Sequence, residues 1–439
     1  PRLPGQQARE RILTALDAGG APFGPAPAAL GAAVLRRRAT RLLDIMVAVW
    51  IFAGGFVMVE PSPYELTFLA VLPLALLAGI GLYRSTFGLF AILLGFTPFA
   101  LIAVFQVRFT PITDALLFSI VTIFLLLTAY FVANYVAEAT ERRIRIIIGA
   151  YTAVAAICAL LGTLGYLGLI PGADLFTRYG RAKATFNDPN VFGPFLVLPA
   201  MYALQRVLLG TPRTALIAGT IYLVLFVGVF VSFSRAAWGH FAFSSILTLA
   251  LVFWLEASVR DKVRIMIMSL VGAGMLVIAL GGLLSIPSVQ ALFAQRAQGQ
   301  DYDSGETGRF GRQGYAYELA LDHPLGLGPL EFRNLRVIEE PHNVYVSVLH
   351  AYGWGGGAMY YLLVILTLWR AWQGLARPSP YRLMMIPLVA TFLMLVGESA
   401  IIDSDHWRHY YLVAGLIWGL STAIRNDPRS SAPRSNMLV

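Results

Sequence analysis

The sequence predicts an all-α polytopic membrane protein with about twelve transmembrane helices and one large outer loop containing short helices. Three observations predict it. Of 439 residues, 57% are hydrophobic and only 13% charged, against roughly 25% charged in soluble domains. Apolar stretches of the roughly 20 residues that an α-helix needs to cross a bilayer recur along the chain. The long interruption, 286–342, is polar and carries arginines, a Gly/Pro turn and histidines. The net charge of +9 raises nucleic acid as a partner. However, most basic residues sit in short loops between apolar segments, as membrane orientation requires, so no nucleic-acid partner is expected. Cys158 is the single cysteine, which excludes an intrachain disulfide and a Cys metal site.

Residues 1–41 form an N-terminal segment rich in Pro, Ala and Gly. They lack the basic, apolar and cleavage regions of a signal peptide, so none is expected, and the missing initiator Met reads as processing. Nine spans fill 42–285, at 42–59, 64–83, 87–106, 114–137, 144–170, 191–209, 214–233, 236–256 and 264–285. The seventh and eighth come from one apolar run, divided only at Ser232-Phe233-Ser234-Arg235. A turn that short lies at membrane depth, where irregular backbone is tolerated only if protein or a wet cavity satisfies it. In the 286–342 loop, Ser288 is expected to cap a helix through Val289, Leu292 and Phe293. A second run, with Tyr315, Leu319 and Leu321 near one face, is ended by His323-Pro324. Three spans fill 343–424, at 343–369, 381–402 and 408–424. The 425–439 tail is Ser/Pro/Arg-rich and is expected to stay unfolded.

An even number of spans puts both termini on one side. With the N-terminus cytoplasmic, that face holds 22 of the 33 Lys and Arg residues, including Arg2, Arg9, Arg11, Arg36–Arg38 and, in the tail, Arg429 and Arg434, as the positive-inside rule asks. Of the other 11, eight cluster on the outer face, Arg178, Arg181 and Lys183 in one loop and Arg296, Arg309, Arg312, Arg333 and Arg336 in the largest; Arg108, Arg235 and Arg408 complete the set. They oppose the orientation bias, and anion binding is the simplest reason for the cluster.

Several residues there suit chemistry on an anionic, lipid-linked substrate. His342 follows Pro341 at the mouth of the tenth span; histidine is the side chain whose free form titrates near neutrality, at about 6.5, and so can take a proton from an attacking sugar hydroxyl. A helix-capping interfacial histidine is the competing reading. Asn343 is placed to orient the imidazole or a substrate hydroxyl. Arg235 lies in the tight turn, and its planar fork grips phosphate oxygens. Arg309 and Arg312, three residues apart, share a helix face and could both reach a pyrophosphate. A solvated loop balanced by Asp301, Asp303 and Glu306 is the other reading. Arg178 and Arg181 precede Asn187-Asp188-Pro189-Asn190, where Asn190 is expected to cap the sixth span and expose its amides. Asp403, Asp405, His406 and His409 look like metal ligands, but Trp407, Tyr410 and Tyr411 mark an interfacial aromatic belt, so no metal is expected. His240 and His350 read as packed polar residues bridging helices.

Together these pieces resemble the O-antigen ligase/polymerase superfamily of bacterial envelope enzymes over about 180–365. The resemblance rests on Ser232-Phe233-Ser234-Arg235-Ala236-Ala237-Trp238, on Gly308-Arg309 leading to Ala320, His323-Pro324-Leu325-Gly326-Leu327-Gly328 and Phe332, and on Pro341-His342-Asn343-Val344-Tyr345. Asn187-Asp188-Pro189-Asn190 also fits. It implies a glycosyltransferase without cofactor or metal, in the bacterial inner membrane, with both termini cytoplasmic and its site facing the periplasm. The implied donor is an undecaprenyl-pyrophosphate-linked glycan. In the ligase members the acceptor is the lipid A–core of lipopolysaccharide, attacked with inversion. By the resemblance, Arg235 and Arg309 bind the pyrophosphate and His342 is the base; Arg312 does not match the motif position clearly.

Close alternatives are an O-antigen polymerase or a protein O-oligosaccharyltransferase, which use the same class of donor. One large outer loop and a chain ending soon after the last span favour a ligase. A lipid or glycan transporter would need inverted repeats and ionisable residues along a central path. Beyond Glu398 few candidates exist, and no repeat is seen.

Overall fold

The computed structural model describes residues 27–298, 305–336 and 338–426. Residues 1–26 and 427–439, with Arg2, Arg9, Arg11, Arg429 and Arg434, lie outside the described residues, as do Asp301 and Asp303.

Among the described residues the chain is all-α apart from one two-stranded hairpin. In order, the helices are α1 (Pro27–Ala53), α2 (Pro63–Ala78), α3 (Phe87–Val104), α4 (Ile112–Glu138), α5 (Thr140–Tyr166), α6 (Pro189–Phe195) and α7 (Val197–Leu209). There follow α8 (Pro212–Val231), α9 (Arg235–Leu255), α10 (Val259–Leu284), α11 (Pro287–Ala297), α12 (Arg309–Asp322), α13 (Val344–Ala376), α14 (Arg382–Glu398) and α15 (Arg408–Asn426). Each of the expected spans falls on helix. Among the described residues, eight helical stretches are long and apolar enough to cross a membrane, α6 and α7 counting as one. Of the rest, α2 has 16 residues and α14 has 17, while α1 carries Arg36–Arg38, Arg41 and Asp44. The helix α1 begins well before residue 42 because the Ala- and Leu-rich 28–35 stretch, opened by Pro27, favours helix.

Lipid tails are as apolar as leucine, so helices in a membrane associate through close packing rather than through the hydrophobic effect. The α4–α15 pair shows the device. A Cβ on Gly415 or Gly419 would come within 2.6 Å of the Ala129 carbonyl or 2.7 Å of the Ala133 carbonyl. Polar ties add to it: His240 Nδ1 on α9 lies 2.8 Å from Glu398 Oε2 on α14, both buried.

The connections that carry the expected site all lie at one end of the bundle. The β1 (Thr177–Arg178) to β2 (Arg181–Ala182) hairpin turns through Tyr179 and Gly180, both with positive φ, the geometry that two-residue hairpins favour. The large loop is tied down at two places. Glu331 accepts the backbone N–H groups of Arg108, Phe109 and Thr110 at 2.9–3.0 Å. The Pro324–Gly328 turn docks into a break in α13: Leu327 N donates to the His350 carbonyl, Gly328 N to Ala351, and Trp354 N returns a bond to Pro324. Gly353 makes the break possible. Its φ of 70° and ψ of −177° are open only to glycine, and a Cβ there would lie 2.4 Å from the Pro324 oxygen. Gly353→Ala should therefore lower the melting temperature in detergent, with a cost of at least about 1–3 kcal/mol. Gly272→Ala, where a Cβ meets no atom within 4 Å, should leave it in place. Equal melting temperatures would contradict the docking.

Local expectations for the loop are corrected in two places. Ser288 does not cap α11; the cap position is Ile286, without a side-chain bond, and Ser288 lies inside the helix. Phe293 of α11 stacks on Phe230 and packs on Trp238, so burial against the α8–α9 turn holds that helix instead. On α12 the buried face is Arg312, Ala316 and Ala320, and Leu321 is exposed.

Candidate active site

The tight turn between α8 and α9 is built from buried residues: Ser232, Phe233 and Ser234 are all within 3% of full burial. Phe233 takes a left-handed φ of 47°. Ser234 caps α9, its Oγ accepting from Ala237 N at 3.4 Å, which puts Arg235 at the first helical position, facing out of the turn. The Ser232 carbonyl is satisfied by Arg181 of the hairpin, whose Nε donates to it at 2.8 Å. Arg181 also donates to Asn190 Oδ1 at 2.7 Å. Asn190 is thus not the cap of the following helix. Asp188 is, its carboxylate accepting from Asn190 N at 2.7 Å to close an Asx turn, while the Asn190 side chain serves the arginine.

His342 stands at the other side. Its φ of 56° is left-handed, a conformation that costs a non-glycine residue about 1–3 kcal/mol and is met mostly at functional sites. Its Nδ1 lies 2.6 Å from Asp403 Oδ2 in the α14–α15 connection. A carboxylate accepts there, so Nδ1 carries the proton and the basic lone pair falls to Nε2. Asn343 does not turn toward the imidazole. It caps α13, its Oδ1 accepting from Tyr345 N and Val346 N, and its amide approaches Gln313 at 3.4 Å.

One cavity of about 960 Å³ joins these parts. Arg181, Arg235, Arg309, Asn190 and His342 all line it, and so do Arg296, Arg333, Glu340 and Asp403. Two expected anion-binding residues stand elsewhere. The Arg178 guanidinium is exposed, donates to the Asn187 carbonyl at 2.8 Å and lies over the Tyr179 ring. Arg312 is buried and paired with Glu339. Sharing a helix face with Arg309 does not give it the same direction, because Arg309 opens the helix while Arg312 is a turn further in, on the packed side.

The electrostatics are those of a cationic site. Burial, then the nearby Arg296, pulls Arg181 down to about 10, and burial followed by Arg235 lowers Arg296. Guanidiniums that crowd one another in this way favour an anion among them. Asp403 orienting His342, and Arg296 and Arg333 joining the cavity, were not singled out by sequence motifs. Asp403 sits 61 residues from His342 inside an aromatic segment, so no local spacing marks it.

No curated protein matches the chain. Residues 220–361, which hold Arg235, Arg309, His342 and the Pro324–Gly328 turn, match the family model described as O-antigen ligase.

Proposed function

We propose that this protein is a membrane glycosyltransferase that moves an O-antigen glycan en bloc from undecaprenyl pyrophosphate to the lipid A–core oligosaccharide, on the periplasmic side of the bacterial inner membrane. The observation that carries the reading is the single cavity in which Arg181, Arg235 and Arg309 face the His342–Asp403 pair. The arginines bind the diphosphate. The acceptor hydroxyl gives its proton to His342 Nε2 as its oxygen bonds to the anomeric carbon. The bond from that carbon to the diphosphate breaks, and the electron pair leaves with the lipid diphosphate. Charge grows on the leaving group, and fixed guanidiniums stabilise it most where they need not reorganise. Attack opposite the leaving group inverts the anomeric centre, as in inverting glycosidases. Asp403 keeps the imidazole in the basic tautomer.

Purified protein should join donor to core acceptor in detergent. A host lacking it should lose smooth lipopolysaccharide and accumulate lipid-linked polymer. Lengthening of the glycan on its own lipid would instead mark a polymerase, and substrate flux in empty liposomes without product a transporter. Transfer is also expected to survive EDTA with less than about a two-fold change, since arginines take the place of a Lewis acid; loss rescued by Mg²⁺ would refute that part.

A further inference from the structure

A second cavity, of about 260 Å³, adjoins the first and shares Glu340 and Asp403 with it. Its walls combine carboxyl groups, among them Glu340 and Asp405, with the rings of Phe118, Tyr352 and Trp407. Three polar side chains of its lining have buried atoms with no hydrogen-bond partner among the described residues: Glu340 Oε1, Ser347 Oγ and both ring nitrogens of His350. His350 is 1% exposed. Buried polar groups are nearly always bonded, so orphan atoms on three residues that line one cavity point to an occupant that supplies both donors and acceptors. The volume far exceeds the roughly 30 Å³ share of one water.

The charge state narrows its chemistry. Burial, then Asp403 and Asp405, raises Glu340 to about 8, and burial and Asp403 raise Asp405 to about 7. Burial, then Arg408, lowers His406 to about 3, leaving its imidazole neutral. The cavity therefore offers Glu340 and Asp405 carboxyls held toward their protonated forms and an uncharged imidazole, beside aromatic faces and an Arg408 already paired with Glu60 and Glu65. An anion would meet the carboxylate of Asp403, and a cation would have to displace protons. A neutral ring rich in hydroxyls, with apolar C–H faces, fits both walls.

We propose that the second cavity is a subsite for one sugar ring, held by Glu340, Ser347, His350 and Asp405 beside the diphosphate cavity. This rests on the glycan-transfer reading above. The ring belongs either to the first sugar of the donor or to the attacked sugar of the acceptor.

The test uses full-length protein in detergent, with donor and core lipopolysaccharide isolated from its native host. Ser347→Leu and His350→Phe fill the cavity. They should raise KM by about tenfold or more for one substrate, as when a site built to hydrogen-bond hydroxyls loses them, while undecaprenyl pyrophosphate bearing no sugar binds as to wild type. A rise for the acceptor assigns the subsite to the acceptor, and a rise for the donor to the donor. If wild type turns over and both variants keep both KM values within about two-fold, the cavity holds water only and the subsite is refuted. If wild type makes no product at all, the glycan-transfer reading fails instead. A measurement on wild type decides the matter should the variants not fold. Hydrophobic carbodiimide labelling of Glu340 and Asp405, read by peptide mass spectrometry, should slow with glycan-bearing donor or with core acceptor, and not with sugar-free lipid diphosphate. Labelling unchanged by either sugar ligand would overturn the proposal.

Discussion

Replacing His342 by alanine is expected to reduce glycan transfer by about 10²–10⁴-fold, the range that a positioned general base supplies. The protein should still insert, purify and bind lipid diphosphate. His342 lines the arginine cavity, and its Nδ1 is committed to Asp403 at 2.6 Å, so one nitrogen is fixed by the protein and the base assignment requires the other to meet the substrate hydroxyl. The loss should fall on kcat more than on donor KM, because the imidazole acts on the attacking hydroxyl rather than on the diphosphate. Asp403→Asn supplies the companion experiment. An amide can present its NH₂ to Nδ1 and hold the wrong tautomer, so kcat should drop while donor affinity stays. A His342→Ala enzyme near wild-type rate would remove the base assignment. An Asp403→Asn enzyme at full rate would leave the histidine but remove its partner.

The left-handed backbone at His342 bears on the same point. Holding φ at 56° costs stability that packing alone does not require. It is kept by contacts on both sides: Val344 N donates to the Ser399 carbonyl, and Gln313 Nε2 donates to the His342 carbonyl at 3.1 Å. These bonds tie α12, α13 and the α14–α15 connection together around one residue. Pre-organisation of this kind places the ring before substrate arrives.

What the sequence made legible follows from what kind of signal each feature leaves. Helices in a membrane write their length directly into hydropathy, so the spans were readable, and the split of 214–256 was readable from four residues because a run of 43 cannot be one span. Arg235, Arg309 and His342 were readable because each sits in a short motif at a helix mouth, and they line a common cavity. Asp403 and Glu340 were not, since their roles come from tertiary meeting: one lies in the α14–α15 connection and the other before α13. Side-chain direction was likewise out of reach. Spacing put Arg309 and Arg312 on one face, yet Arg312 is buried and paired with Glu339, and of the two only Arg309 lines the cavity. Cap assignment failed at Asn190 for a similar reason, because Arg181 competes for its side chain.

The second large effect is expected at Arg235. Arg235→Lys should lower transfer by about 10²–10³-fold, the loss typical of removing one donor aimed at developing charge, even though the positive charge is kept. A guanidinium presents a planar fork to two phosphate oxygens, whereas an ammonium is a compact, strongly hydrated point charge. Arg235 begins α9 directly after a turn whose residues are almost wholly buried, so its stem leaves a rigid base. A lysine from the same base would reach less far, and water would screen it. The neighbours sharpen the prediction. Arg235 lowers the proton affinity of Arg296 through its charge, and Arg296 in turn acts on Arg181. The three therefore feel one another without ligand, and a bound diphosphate would relieve that repulsion. Binding of sugar-free undecaprenyl pyrophosphate should accordingly weaken as salt rises, since salt screens the attraction that the cluster supplies. The salt dependence should be shallower in Arg235→Gln than in wild type. Donor binding equal in wild type, Arg235→Lys and Arg235→Gln at every salt concentration would show that the arginines crowd this cavity for some other purpose, and the diphosphate assignment would fall with it.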